Sequence, residues 1–203
     1  SHTQGEPTRL LISESWNLHG STIIEKRADF QERYDHIRLL LTQEPRGHKD
    51  MFAAAVVDPV SPSSHFGLIY MDAERYPYLC GHATIGAVTT LIETGIIAGK
   101  DGESIVKIDT PSGQVDALTT CNGGNVESVA LTMVPSFVMG NTHQLDVKGL
   151  GKIPVDLVCA GGVFAMVSAS SVGLDLVVEN SEKLISLGMR VIEEANHRIE
   201  VLH

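Results

Sequence analysis

Cysteine, aromatic residues and basic charge are all scarce in this sequence of 203 residues. The three cysteines are an odd number at wide spacing, which excludes a disulfide framework. Aromatic residues make up 5%, too few for the stacking surfaces that bind single-stranded nucleic acid. Lys and Arg total 15 against 25 Asp and Glu, and the resulting formal charge of −10 repels phosphate backbones and anionic membrane surfaces. We therefore expect no nucleic-acid partner and no membrane partner.

Long apolar runs and cofactor-binding motifs are also missing. No run approaches the roughly 20 residues needed to span a bilayer, and residues 1–5 lack the basic and apolar regions of a signal peptide. The sequence has no C-x-x-C pair, no H-E-x-x-H, no P-loop and no G-x-G-x-x-G. These absences predict a cytoplasmic protein with no metal site and no nucleotide cofactor.

What is present is the composition of an ordinary globular chain, with 43% hydrophobic and 20% charged residues. Apolar periodicity and turn residues predict strands and helices in mixed order. Strands are expected at residues 8–13, 51–57, 65–72, 105–110, 114–119, 126–134, 153–158 and 163–168. Helices are expected at residues 28–41, 80–95 and 181–198. The helix at 80–95 has one charge, Glu93, so we expect it to be buried on all sides, with Gly95 as its C′ residue.

The order of elements over residues 8–41 recurs over residues 153–198. The first copy continues into further strands and the apolar helix, whereas the sequence stops where the second copy would continue. We therefore predict a two-fold internal repeat, with residues 1–134 as the first half and residues 135–203 as the beginning of a second, truncated half. Two unrelated α+β pieces are the alternative. The repeat leads us to expect a fragment, or the visible part of a longer protein.

Cys80 stands immediately before the apolar helix, where main-chain N–H groups lack helical partners. Those groups, on residues 81–83, make an anion site suited to a carboxylate, and their field should lower the pKa of the Cys80 thiol. Gly81 leaves room for a ligand, and His82 can hold a polar substrate group. A thiolate beside a bound carboxylate suits the removal of a weakly acidic α-proton. The alternative is an inert buried cysteine.

The other two cysteines carry weaker expectations. Cys121 falls in an Asn/Gly turn, so we expect it to be incidental to function. Cys159 lies in an apolar strand before a Gly-Gly pair, so core packing is favoured.

Five segments resemble motifs of the proline racemase family. They are residues 2–9 (H-T-Q-G-E-P-T-R), 44–52 (E-P-R-G-H-K-D-M-F), 79–85 (L-C-G-H-A-T-I), 134–137 (V-P-S-F) and 155–164 (V-D-L-V-C-A-G-G-V-F). They occur in the family's order and extend over nearly the whole sequence. Several are long and specific, so the resemblance to that family is strong.

The resemblance implies an α+β, diaminopimelate-epimerase-like fold with two pseudo-symmetric halves, each a mixed sheet curled around a central helix. The substrate would lie in the cleft between the halves. It also implies an amino-acid racemase or epimerase that forms a homodimer and uses no cofactor, neither pyridoxal phosphate nor metal. In such enzymes two cysteines face opposite sides of the substrate α-carbon, one removing a proton as thiolate and the other delivering one as thiol.

Residue by residue, the resemblance gives Cys80 the role of the first acid-base cysteine. Gly81 and His82 match positions whose amides hold the substrate carboxylate and whose imidazole approaches the ring nitrogen, and the amide of Ala83 completes the helix N-terminus. Phe52 matches an aromatic residue that packs against the pyrrolidine ring. Structural roles are expected for four other motif residues, Glu6, Arg9, Arg46 and Asp50.

The sequence ends before the family segment that carries the second cysteine, or a threonine in trans-3-hydroxyproline dehydratases. The leading hypothesis is therefore a racemase or epimerase of proline or a hydroxyproline. The first alternative is trans-3-hydroxy-L-proline dehydratase, and the second is a non-catalytic fragment with an epimerase-like fold. We expect the 203-residue chain alone to be inactive as a racemase.

Overall fold

The computed structural model describes residues 1–13 and 16–200. Its strands are β1 (His2–Thr3), β2 (Glu6–Ile12), β3 (Phe52–Val57), β4 (Phe66–Met71), β5 (Gly102–Thr110), β6 (Gly113–Asn122), β7 (Asn125–Thr132), β8 (Phe137–Val138), β9 (His143–Val147), β10 (Gly151–Cys159) and β11 (Val163–Met166). Its α-helices are α1 (Ile23–Thr42), α2 (Gly81–Glu93) and α3 (Ser181–Arg198). None of the helices in the described part of the chain is long and apolar enough to cross a membrane. The chain divides into two compact units, Ser1–Val134 and Pro135–His203, and their relation as two halves of a repeat stays a prediction.

The first unit is built on a mixed sheet in the order β1-β2-β3-β4-β5-β6-β7. β2 pairs with β3 and β4 pairs with β5 in parallel, and the other neighbouring pairs are antiparallel. β3 and β4 are apolar along their length because helices cover both of their faces. Ala54 and Leu68 lie on the face covered by α2, whereas Ala55 and Ile69 lie on the face covered by α1.

Helix α2 fills the concave side of this sheet. It contacts β1, β2 and β3 near one edge and β7 at the other edge, so the sheet curls around it. Its side chains are uncharged before Glu93, and Val88 and Leu91 are completely buried. Ile85 is only partly buried, so the burial on all sides that we expected is not complete. Gly95 follows the helix end with φ of 73°, which confirms it as the C′ glycine.

Helix α1 covers the opposite face and begins at Ile23, earlier than the predicted start at residue 28. The hydroxyl of Thr22 accepts a hydrogen bond from the Glu25 amide, and the Glu25 carboxylate accepts one from the Thr22 amide. This capping box fixes the start of the helix ahead of its apolar stripe. Phe30, completely buried, anchors the helix on the sheet and packs against Trp16 with ring centroids 5.2 Å apart.

The second unit is organised around β10, which pairs antiparallel with β8, β9 and β11. Leu187 and Val191 of α3 pack on one face of this sheet and form a core with Val155 of β10. Ile192 of the same helix is 48% exposed. Met166 of β11 lies on the face away from α3, and its side chain is exposed.

Candidate active site

Cys80 is the N-cap residue of α2, with extended backbone angles of φ −150° and ψ 113°. Its carbonyl accepts the first helical hydrogen bond, from the Thr84 amide at 3.1 Å. The thiol makes no cap hydrogen bond of regular geometry, yet the amides of Ala83 and His82 act on the sulfur and favour the thiolate. The structure therefore places the predicted cysteine at a helix N-terminus, as the sequence indicated.

His82 lies between the cysteine and an aromatic residue of the neighbouring sheet. Its Nδ1 is 3.2 Å from the Cys80 sulfur. Its ring meets the Phe52 ring edge-on, with centroids 5.1 Å apart. The hydroxyl of Thr3 donates to the His82 carbonyl at 2.9 Å, which ties this first turn to β1. Three predicted site residues, from β3 and from the start of α2, are thus brought together.

The pKa of Cys80 does not follow the prediction from the sequence. Burial of the sulfur raises the pKa of the Cys80 thiol to about 11, although the amides of Ala83 and His82 lower it. The charge of Glu6 raises it further. The expectation of a lowered pKa was wrong because loss of hydration outweighs the field of the helix N-terminus. The resting thiol is therefore protonated at neutral pH.

Gly81 and Ala83 take different positions in the first turn of α2. A Cβ at Gly81 would meet only the Met133 methyl, at 3.9 Å, so packing in the first unit does not require a glycine there. The side chain of Ala83 is completely buried in the core, which leaves only its main-chain amide to act at the site. The open space beside the Gly81 amide suits the close approach of a ligand.

Two buried hydroxyl groups behind Cys80 were not predicted as part of the site. Thr84 Oγ1 donates to the Cys80 carbonyl at 2.7 Å and lies 2.7 Å from the Tyr70 hydroxyl. Both side chains are completely buried, and burial raises the pKa of Tyr70, which is therefore a neutral phenol. Thr84 could have been noticed from its position four residues after the cysteine, but Tyr70 lies within an apolar strand and carries no such signal.

The motif residues expected to be structural have contrasting environments. Arg9 Nη1 donates to the Leu41 carbonyl at 2.7 Å, and its Nη2 donates to the Arg46 carbonyl. These bonds tie β2 to the last turn of α1 and to the chain that follows it. Asp50 is exposed, and so is Glu6, whose charge nevertheless acts on Cys80.

The two other cysteines do not lie where the sequence suggested. Cys121 belongs to β6 and is 3% exposed in the core of the first unit, because the strand continues to Asn122 before it turns. The predicted turn position was therefore wrong, whereas the expectation that Cys121 is incidental to function stays a prediction. Cys159 ends β10 and is partly exposed outside the core of the second unit, so the prediction of core packing was also wrong.

Within residues 1–13 and 16–200, no three His, Cys, Asp or Glu side chains come close enough to hold a metal ion. The absence of a cofactor in the reaction stays a prediction.

Comparison with known proteins gives consistent results. The family model of proline racemase matches residues 1–203. A trans-3-hydroxy-L-proline dehydratase of Colwellia psychrerythraea is 39% identical over 202 residues, covering 100% of this chain and 57% of the relative. A proline racemase of Clostridioides difficile is 35% identical over 203 residues, covering 100% of this chain and 61% of the relative.

A solved structure gives the same result for the fold. The hydroxyproline epimerase of Agrobacterium vitis, crystallised with trans-4-hydroxy-L-proline, superposes with a TM-score of 0.91 at 28% identity, covering 100% of this chain and 60% of the epimerase. The α+β, diaminopimelate-epimerase-like fold predicted from the sequence is thus confirmed. The chain spans about three fifths of the length of these relatives. Because the family match runs over the entire sequence, this chain belongs to the proline racemase family.

Proposed function

We propose that this chain supplies one acid-base side of a cofactor-independent racemase or epimerase acting on proline or a hydroxyproline. The observation that carries the proposal is the position of the Cys80 sulfur, at the N-terminus of α2 and 3.2 Å from His82 Nδ1. A helix N-terminus binds a carboxylate. A thiol beside it can exchange a proton with the carbon next to that carboxylate.

The raised pKa assigns an order to the events. Cys80 rests as a thiol, and burial keeps it so at neutral pH. A bound proline zwitterion would bring a secondary ammonium group, whose positive charge favours the thiolate, and the proton of the thiol would be released to solvent. The thiolate then takes the α-proton, and the electron pair of the broken C–H bond moves into the carboxylate. An acid on the opposite face returns a proton to the α-carbon and completes the inversion.

The same half-reaction serves a second candidate, trans-3-hydroxy-L-proline dehydratase. The similarity to the Colwellia dehydratase at 39% identity favours keeping it. There the thiolate would again take the α-proton, and the C3 hydroxyl would leave with a proton as water. The two activities therefore differ on the face of the substrate opposite Cys80.

The homodimer and the cytoplasmic location of the whole protein also stay predictions.

Isotope exchange tests the proposal. The natural gene product is incubated in D2O with L-proline, trans-4-hydroxy-L-proline or trans-3-hydroxy-L-proline, and α-deuterium, configuration and water loss are followed by NMR and chiral chromatography. We expect turnover of one of the three, loss of that turnover in Cys80→Ala, and its retention in Cys121→Ala. Turnover by Cys80→Ala at the wild-type rate would contradict the proposal.

The 203-residue chain by itself should not invert proline. Inversion needs a base on one face and an acid on the other, and Cys80 at a single helix N-terminus serves one face. Cys121 cannot replace the second acid because its thiol is packed in the core of the first unit. We expect at most slow α-deuterium uptake with retention of configuration. Conversion of L-proline to D-proline by this chain would contradict the two-sided mechanism.

A further inference from the structure

A hydrogen-bond chain with a defined direction runs from β4 to the main chain of Cys80. Thr84 Oγ1 donates to the Cys80 carbonyl at 2.7 Å. A threonine hydroxyl has one proton, and here that proton is directed to the carbonyl. The Tyr70 hydroxyl, 2.7 Å from Thr84 Oγ1, must therefore be the donor to Thr84. The order of donation is Tyr70 to Thr84 to the carbonyl of Cys80.

A helix N-terminus does not need this arrangement in order to form. The Thr84 amide already donates to the Cys80 carbonyl at 3.1 Å, which is the ordinary first bond of the helix. The hydroxyl adds a second donor to the same oxygen, and Tyr70 adds a third group behind it. Both side chains are completely buried, where polar groups are costly unless each is paired. Apolar residues of similar shape would fill the same space without a polar chain.

The hydrogen bonds to the Cys80 carbonyl also affect the N–H of Gly81, on the other side of the same peptide bond. In a planar trans peptide the C=O and the N–H point in opposite directions. The Cys80 carbonyl points into α2 toward Thr84, so the Gly81 N–H points away from the helix at its N-terminus. Fixing the carbonyl therefore fixes the amide that faces outward.

We propose that Tyr70 and Thr84 are positioning residues that hold the Cys80–Gly81 peptide in one orientation. They thereby aim the Gly81 amide at a substrate carboxylate and keep the Cys80 sulfur near the amides of the first helical turn. The part that concerns the carboxylate rests on the proposed function. The part that concerns the reactivity of the thiol does not.

Three titratable groups surround the Cys80 sulfur in the described part of the chain and bear on the pH dependence of its reactivity. His82 faces it from α2 at 3.2 Å, the charge of Glu6 acts on it from β2, and Tyr70 lies behind it on β4. Replacing Thr84 by Val removes none of these titratable groups. A change in the pH dependence of Cys80 alkylation would then report the position of the peptide.

The experiment measures the rate of alkylation of Cys80 by iodoacetamide from pH 7 to 11, by mass spectrometry of the Cys80 peptide. Because one hydrogen bond is worth about three- to tenfold in an equilibrium, Thr84→Val should slow the reaction by that factor between pH 8 and 10, which moves the rising part of its profile to higher pH by about 0.5 to 1 unit. Thr84→Ser, which keeps the hydroxyl, should stay within about twofold of the wild type. Thr42→Val is the matched control, because Thr42 is equally buried and donates to the Arg38 carbonyl in α1. It should leave the Cys80 profile unchanged.

The double variant Tyr70→Phe/Thr84→Val separates positioning from stability. It removes both polar groups together, so the melting temperature should recover relative to Thr84→Val alone while Cys80 stays slow. Recovery of the wild-type profile along with the stability would overturn the proposal. If Thr84→Val does not fold, Tyr70→Phe gives the same comparison, and a profile identical to the wild type would again count against a positioning role.

A second measurement addresses the carboxylate. The concentration of L-proline that half-protects Cys80 should rise about three- to tenfold in Thr84→Val. An unchanged value would overturn the aiming of the Gly81 amide. If L-proline, trans-4-hydroxy-L-proline and trans-3-hydroxy-L-proline all fail to protect the wild type, the proposed function fails instead. The alkylation profile would still decide the role of Tyr70 and Thr84.

Discussion

The high pKa of Cys80 can be tested directly through the pH dependence of its alkylation. Burial raises the pKa of the Cys80 thiol from an ordinary 9.0 to about 11, although the amides of Ala83 and His82 act to lower it. At pH 8, a thiol with this pKa has roughly one hundredth of the thiolate of an ordinary thiol. Iodoacetamide should therefore modify Cys80 about a hundredfold more slowly than a cysteine in a short peptide. The rate should rise about tenfold for each pH unit between 8 and 10.

The pH at which the alkylation rate levels off is more informative than the absolute rate. Limited access to the sulfur lowers the rate equally at every pH, whereas the midpoint reports the pKa. Glu6→Gln is a useful companion variant because it removes a nearby negative charge. Since Glu6 is exposed and its charge is screened by water, we expect a gain of less than about threefold at pH 8. A wild-type rate that levels off below pH 9 would refute the reasoning and show that the helix N-terminus outweighs burial.

Four further substitutions separate packing, charge and binding. Leu91→Ala should lower the free energy of unfolding by about 2–5 kcal/mol because Leu91 is completely buried. Ile96→Ala, at a residue that is 52% exposed, should change it by less than about 0.5 kcal/mol, and equal losses in urea titrations would contradict the buried position of α2. Burial acts to raise the pKa of Asp109, but hydrogen bonds from the loop before β4 outweigh burial, and the net pKa is lowered. The Asp109 carboxylate therefore stabilises the fold above pH ~4, and this contribution is lost at lower pH. Asp109→Asn should cost about 1–3 kcal/mol at pH 7 and less at pH 3, and a constant loss in thermal unfolding would disagree. Gly81→Ala should change the free energy of unfolding by less than about 0.5 kcal/mol, because a Cβ there meets only Met133 at 3.9 Å. The same variant should weaken the protection of Cys80 by L-proline about tenfold, and unchanged protection would argue against the carboxylate site.

Burial explains which parts of the fold could be predicted from the sequence. β3 and β4 are covered on both faces and are almost entirely apolar, and α2 has no Asp, Glu, Lys or Arg before Glu93, so the positions of all three are clear. The start of α1 was missed because residues 25–29, after the buried Ile23, are charged or small, and the start is marked by the capping box of Thr22 and Glu25. β9 was missed because only two of its five residues, Leu145 and Val147, are apolar.

The candidate site was predictable only in part. Cys80, Gly81 and His82 could be found because they open an uncharged helix and match a family motif. The pKa of Cys80 could not, because it is a difference between burial and the helix field, and burial depends on contacts made across the sheet. Tyr70 was missed for the same reason, since a tyrosine in an apolar strand is typical of a core residue until its hydroxyl partner is known.

A protonated resting thiol is compatible with the proposed reaction. A thiolate of high pKa is a stronger base toward a weakly acidic α-proton than one of low pKa, although fewer such thiolates exist. The difficulty is then to form the thiolate only when substrate is present. A secondary ammonium group arriving beside Cys80 would do so, because it adds a positive charge where water has been excluded. In the second role of a racemase cysteine, that of the acid, the same high pKa keeps the proton on sulfur until the carbanion forms. Burial of Cys80, which outweighs the helix N-terminus, therefore suits the proposed role, in which Cys80 acts as a base in one direction and as an acid in the other.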